Sequence, residues 1–300
     1  MLRTVLLLLF CQSIMSVSEG YARQNGQGAT KGTGPTRIEW QTDYGEALHT
    51  AEAQHKMMCV WFCGASSNTF QRQFETISLR DPKVAKLLDR YVMVKLSTAA
   101  TIIVNGKPLR LLDHGAFREL KRGPGVVLID YAHRGTEYYR HVVTTLPFTA
   151  GKYYRFHPSH LAVALNLPAG TLTQRTLVFA VRIHPERPAS THGQIDPNLV
   201  QAANSHSHYQ SRILVQGHHH WNSRFPRLRR LLFGLHPQEI VAESWPNEGV
   251  VDAAVDVVDS WHHSSGHWQA VYSKQNRFGY DMKKGRNGIW YATGLFGNHQ

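Results

Sequence analysis

Apolar positions recur along this chain at helical and strand spacings, and the changes between the two mark out its elements. Asp43–Gln54 has helical spacing and precedes an unbroken apolar run, Met57–Phe62, that predicts a strand buried on both faces. Asn68–Glu75 predicts a second helix. Asp81 followed by Pro82 predicts a third, the carboxylate capping free N–H groups and proline taking the first helical position. Tyr91–Leu96 predicts a strand, and Val126–Asp130 with Tyr138–Val143 a hairpin through Ala132–Gly135. The order from 37 to 150 is thus helix, strand, helix, helix, strand, hairpin.

Beyond residue 150 the pattern changes. Thr171–Ile183 predicts a helix, followed by a proline-broken loop. Asp196-Pro197 opens a helix to about Gln216, with Gly217 in the terminator position. Leu199, Ala202, His206, Tyr209 and Ile213 share one of its faces. Val250–Trp261 predicts a further helix, with Val250, Ala254, Val257, Val258 and Trp261 in one stripe and Asp252, Asp256 and Asp259 opposite. Phe278–Met282 and Ile289–Phe296 predict two strands around a Lys-Lys-Gly-Arg-Asn-Gly turn. No internal repeat is visible.

The N-terminus changes the compartment. Arg3, the apolar core Val5–Phe10 and small residues near Ser16–Gly20 predict a secretory signal over 1–20, so the protein is expected to be secreted or periplasmic. Residues 21–36, rich in Gly, Gln and Thr, predict a flexible linker. No other stretch reaches the ~18 apolar residues of a membrane span. A chain of 300 residues, 42% hydrophobic and 18% charged, predicts two globular domains. The formal charge of +12 is spread over both halves and is densest at Arg224–Arg230. No basic and aromatic stripe accompanies it, so nucleic acid is not an expected partner. Cys59 and Cys63, four positions apart on one strand, would lie ~13 Å apart, beyond the ~7 Å reach of a disulfide.

Candidate chemistry gathers late in the chain, where fourteen of the nineteen histidines fall. VAESW (241–245) and SWHHSSGHWQAV (260–271) set Glu243 and His267 in Trp- and Gly-rich frames. A carboxylate that orients an imidazole makes it a better base, and two imidazoles with a carboxylate suit a Zn²⁺-type site. His206 reads as a hydrogen-bonded core histidine. His262 and His263 read as helix-end cations. No Gly-x-Ser-x-Gly elbow, phosphate loop or His-Glu-x-x-His helix is present.

The segments KMMCVWF, RDPKVAKLLDRYVMVKL and GPGVVLID make residues 37–150 resemble a thioredoxin-like domain. The resemblance puts Pro124 where that fold has a cis-proline. The Cys-x-x-Cys motif is absent. One register gives Cys63-Gly-Ala-Ser66; a second, preferred for its distance to Asp81, gives Ser66–Thr69. Cys63, Ser66, Thr69 and Pro124 therefore mark a degenerate redox position, and no dithiol cycle is expected there.

Residues 151–300 resemble the CAP superfamily (cysteine-rich secretory proteins, antigen 5 and pathogenesis-related proteins) in its bacterial secreted form. The carriers are VAESW, the helix ending in Trp261 followed by Ser-Ser-Gly-His267, and the closing GYDM and GIWYATGLFG. The resemblance implies two domains in all, the thioredoxin-like α/β domain followed by an α-β-α sandwich with a cleft of histidines and glutamates that sometimes holds a divalent metal. Carried across, His267 is the turn histidine and Glu243 the cleft acid. The upstream histidine is one of His218, His219 and His220, with His218 favoured because it follows Gly217, and His220 next. Trp245, Trp261 and Trp268 fall on the cleft wall. His218, Glu243 and His267 would hold Zn²⁺ or another divalent metal. The family's second glutamate has only Asp252, Asp256 and Asp259 as counterparts. The resulting expectation is a secreted binding protein for a lipid, glycan, peptide or metal, its thioredoxin-like half serving docking or stability. The alternative is a metal-assisted extracellular hydrolase using His218, Glu243 and His267.

Overall fold

Two four-stranded sheets organise the chain. The computed structural model describes residues 38–149 and 157–299; the expected signal segment and linker lie outside them. The first half runs α1 (Tyr44–Gln54), β1 (Met57–Cys63), α2 (Thr69–Thr76), α3 (Pro82–Leu88), β2 (Tyr91–Ser97), β3 (Thr101–Val104), β4 (Lys107–Arg110), β5 (Gly125–Ile129) and β6 (Val142–Pro147). Its sheet has the order β2-β1-β5-β6, with β1 and β2 parallel and the other neighbours antiparallel. Gln41 adds a parallel bridge outside β2 at Val94. Strand β1 is apolar throughout because both its faces are covered. Met58, Val60 and Phe62 pack with Ala47 and Ala51 of α1, while Cys59 and Trp61 join the larger core behind the sheet.

The predicted hairpin is corrected in detail. Its second strand is Val142–Pro147, and residues 130–141 form a turn-rich connection. Asp130 holds that connection, accepting from the backbone N–H groups of Ala132 and His133. The extra two-stranded sheet, β3–β4, turns at Asn105 and Gly106, both at positive φ. Every peptide bond among the described residues is trans, that before Pro124 included, which corrects the cis expectation.

The second half runs α4 (Pro158–Leu165), α5 (Leu172–Ile183), β7 (Gln194–Ile195), α6 (Pro197–Ile213), α7 (Trp221–Leu231), β8 (His236–Glu243), α8 (Val250–His262), α9 (Ser265–Tyr272), β9 (Arg277–Lys284) and β10 (Trp290–Asn298). Its sheet has the order β7-β9-β10-β8. Strand alternation divides its faces. Phe278, Tyr280, Met282, Trp290, Ala292, Phe296, Ile240 and Ala242 pack with α5 and α8. On the other face Leu295 packs with Leu199 and Ala203 of α6 and Leu228 of α7. Gly279 lets α6 approach closely, since a Cβ there would collide with the Leu199–Val200 backbone. Helices thus cover both faces of a central sheet.

Helix α6 is rotated from its predicted face. Leu199 and His206 are buried, but Tyr209 and Ile213 are exposed, and Ala203, Ser207 and Gln210 are buried instead. The sheet beneath is polar at this point. Ser207 Oγ donates to the Asp281 carbonyl and to Thr293 Oγ1, and Gln210 Nε2 donates to Thr293 Oγ1. Burying these groups costs little once each is paired. The helix ends at Ile213 on a left-handed Leu214, three residues before Gly217.

The two sheets share a core. One apolar cluster joins Trp61, Met93, Leu128, Leu146 and Phe148 to Leu177, Val181, Val257 and Trp261. Arg175 of α5 is buried at this seam, and its hydrogen bonds among the described residues go to carbonyl and hydroxyl oxygens. Its Nε donates to Val143 O and Thr144 Oγ1 of β6, and its other nitrogens to the carbonyls of Ala164, Leu167 and Pro168. Glu119, from the first half, accepts from the Val250 N–H and so caps α8 with a negative charge at its positive end.

Candidate functional site

Strand β8 carries the key acid. Ile240 and Ala242 point into the core, so Glu239 points to the opposite face, beneath α6 and α7. Its side chain is 1% exposed. Such a carboxylate needs partners, and Arg224 of α7 grips it with both guanidinium nitrogens, Nη2 at 2.8 Å from Oε1 and Nη1 on Oε2. His218 Nδ1 lies 3.0 Å from Oε1. Burial works to raise the Glu239 pKa, but the hydrogen bonds from His218 and Arg224 and the Arg224 charge together hold it below its usual value.

The carboxylate fixes the His218 tautomer. An ionised carboxylate only accepts, so Nδ1 carries the proton and Nε2 presents a lone pair. That Nε2 faces His267 Nε2 at 3.5 Å, with ring centroids 5.6 Å apart. His267 stands in the first turn of α9, half-buried. Burial, then the neighbouring His218, pushes its pKa down, so its imidazole is neutral at physiological pH. His206 completes the floor. Its Nε2 donates to the Gly217 carbonyl at 2.9 Å, and burial drives its pKa down to about 4.

This arrangement suits a borderline divalent cation. Two nitrogens bound at 2.0–2.1 Å to one tetrahedral Zn²⁺ lie roughly 3.3–3.4 Å apart, close to the 3.5 Å between these Nε2 atoms. Glu239 sits behind His218, on the ring nitrogen away from that point, as a supporting carboxylate does in metal sites.

The structure brings together His218 and His267, and leaves other expected residues outside. Glu243 ends β8 on the same face as Glu239 but two strand repeats, four residues, further on, roughly 13 Å along the strand. Its exposed carboxylate makes no hydrogen bond or ion pair among the described residues. The set His218, Glu243 and His267 is not gathered as a metal triad. Among the described residues, the one group of three His, Cys, Asp or Glu side chains with ligand atoms all within 4.8 Å of one another is Asp259, His262 and His263. His220 caps α7 and turns to the Tyr209 hydroxyl at 3.2 Å; His219 turns to the Val215 carbonyl. Trp261 is fully buried against Tyr280 and belongs to the core. Trp245 is 70% exposed. Trp268 lies against His184 and His262 and donates to Glu186.

Sequence reasoning missed Glu239 and Arg224. The signal for Glu239 was a carboxylate directly ahead of the apolar run Ile240–Ala242; Arg224 was noted only as the start of the densest basic run. In the first half, Cys63 ends β1, Ser66 lies in the bend after it, and Thr69 is the first residue of α2. Burial pushes the Cys63 thiol up to about 11, against the lowering effect of Lys95. A thiol so placed is not an activated nucleophile. Pro124 packs beside Gly64, and its carbonyl accepts from Phe148 N–H.

No protein-family model matches the chain, and no curated protein matches it. A solved thioredoxin from Thermus thermophilus aligns at 28% identity over 30% of this chain and 63% of that one, with a TM-score of 0.21. The likeness is partial, and the chain spans less than two thirds of that thioredoxin's length.

Proposed function

We propose that this protein is a secreted or periplasmic binding protein whose cleft takes a divalent transition metal on His218 and His267, with Glu239 and Arg224 as the support behind them. The observation that carries the reading is the pair of facing Nε2 atoms, one held in its tautomer by a buried carboxylate. A CAP-like second half fits this reading through its helix–sheet–helix layering, the Trp261 helix and the following His267 turn. A thioredoxin-like first half fits through its strand order and the bridge at Gln41. With its thiol raised and its second cysteine absent from the motif, that half serves as a non-redox support. Hydrolysis through His218, Glu243 and His267 loses its carboxylate ligand, because Glu243 stands outside the cluster.

The test is elemental analysis and Zn²⁺ titration of untagged protein. His218→Ala and His267→Ala each abolish binding at the cleft, and Glu239→Gln weakens it about 10-fold or more while the fold is retained. Unchanged binding in both histidine variants refutes the reading.

A further inference from the structure

A second cluster of metal-binding side chains lies at the end of α8. Asp259, His262 and His263 stand at i, i+3 and i+4, so all three share one side of its last turn. One ligand atom from each lies within 4.8 Å of the others. The C-terminal end of a helix, with its unpaired carbonyls, favours a cation.

The surroundings of His262 resemble a metal ligand's support. Its Nε2 lies 2.8 Å from Glu186 Oε1, so that nitrogen donates and Nδ1 presents its lone pair. The other Glu186 oxygen accepts from Trp268 Nε1 at 3.0 Å. Trp268 also packs on the ring, with centroids 4.7 Å apart. A chain from indole to carboxylate to imidazole therefore holds His262 in one tautomer. His263 Nδ1 donates to the Asp259 carbonyl at 2.8 Å and lies 3.7 Å from the Asp259 carboxylate. Its side chain is 72% exposed, so moving its proton from Nδ1 to the solvated Nε2 frees Nδ1 as a ligand without net proton release.

From this geometry we infer that Asp259, His262 and His263 form a second divalent transition-metal site, supported by Glu186 and separate from the His218–His267 cleft. Two imidazoles and one carboxylate select Zn²⁺ and its borderline neighbours over Ca²⁺ and Mg²⁺, which require oxygen ligands. Water fills the remaining positions.

Zn²⁺ titration by calorimetry, with native mass spectrometry of untagged protein at pH 7.5, separates the two sites. Wild type takes two ions. The H218A/H267A variant keeps one, and adding Asp259→Asn or His263→Ala to it removes that one. Glu186→Gln in the same background weakens binding about 10-fold or more, with the circular dichroism spectrum unchanged. If H218A/H267A binds no Zn²⁺, or if adding Asp259→Asn leaves its titration unchanged, the second site is refuted. If wild type binds a single ion that is lost in His263→Ala and kept in His267→Ala, the α8 site stands and the cleft reading falls.

Discussion

Removing Arg224 tests the charge arrangement beneath His218. In Arg224→Ala the Glu239 carboxylate stays buried with His218 as its remaining charge-stabilising donor. Breaking a buried ion pair from one side costs about 3–5 kcal/mol. Arg224 is 23% exposed and His218 45% exposed, so water reaches the vacated space, and about 2–3 kcal/mol is the expected loss. Replacing both partners with apolar residues, as in R224L/E239L, removes the uncompensated charge and is expected to cost only about 0–1 kcal/mol. The assay is urea unfolding followed by tryptophan fluorescence, repeated from pH 4 to pH 7. The folded Glu239 pKa lies below its ordinary 4.5. Its contribution is therefore present above pH 4.5 and lost as pH falls through the folded value. Arg224→Ala raises that folded value, so its deficit is largest at pH 7 and shrinks toward pH 4. A loss under about 0.5 kcal/mol at pH 7, the scale of an ordinary surface substitution, would show that the pair carries no such weight. So would a deficit independent of pH, or a double variant less stable than the single one.

Other expectations follow from single residues. His206 is pushed from 6.5 to about 4, so the unfolded chain takes up its proton first; the thermal midpoint should fall as pH drops from 6.5 to 4, and His206→Asn should flatten that limb. Trp261→Ala empties a fully buried site and should cost about 3–5 kcal/mol in chemical denaturation, whereas Trp245→Ala, at an exposed position, should stay within about 0.5 kcal/mol. Cys63, with its thiol near 11, should react slowly with a disulfide reagent at pH 7–8 and accelerate only toward pH 11; fast labelling at pH 7 would contradict the burial argument.

Local signals along the chain marked its elements well, whereas contacts between layers were not legible. The stripe Val250, Ala254, Val257, Val258 and Trp261 is buried throughout, because helical period and core contact coincide there. Asp196 caps α6 as its sequence predicts, accepting from the Asn198 and Leu199 N–H groups. The β3–β4 hairpin was legible too, since Asn105-Gly106 is a strong two-residue turn signal, and it was passed over. Helix α7 was harder. Pro226 lies inside it, and an internal proline argues against a helix. With α7 unseen, Arg224 had no visible reason to meet Glu239, fifteen residues later on a strand. The choice of Glu243 over Glu239 was an error of two strand repeats. Both point the same way, and only the position of α7 tells which is covered. Asp259 was read as solvated and His262 and His263 as helix-end charges, because the loop carrying Glu186 and the α9 residue Trp268 meet them only through the fold.

The five carbonyl and hydroxyl acceptors around Arg175 come from both sides of residue 150. A free-standing copy of the second half would keep the Ala164, Leu167 and Pro168 carbonyls around the guanidinium, lose the two acceptors on β6, and uncover apolar surface now joined to Leu146 and Phe148. The halves are therefore poor candidates for exchange by recombination. Any descendant carrying the second half alone should keep a hydrated side chain at position 175 and carry polar substitutions on the face of α5 that now meets β6.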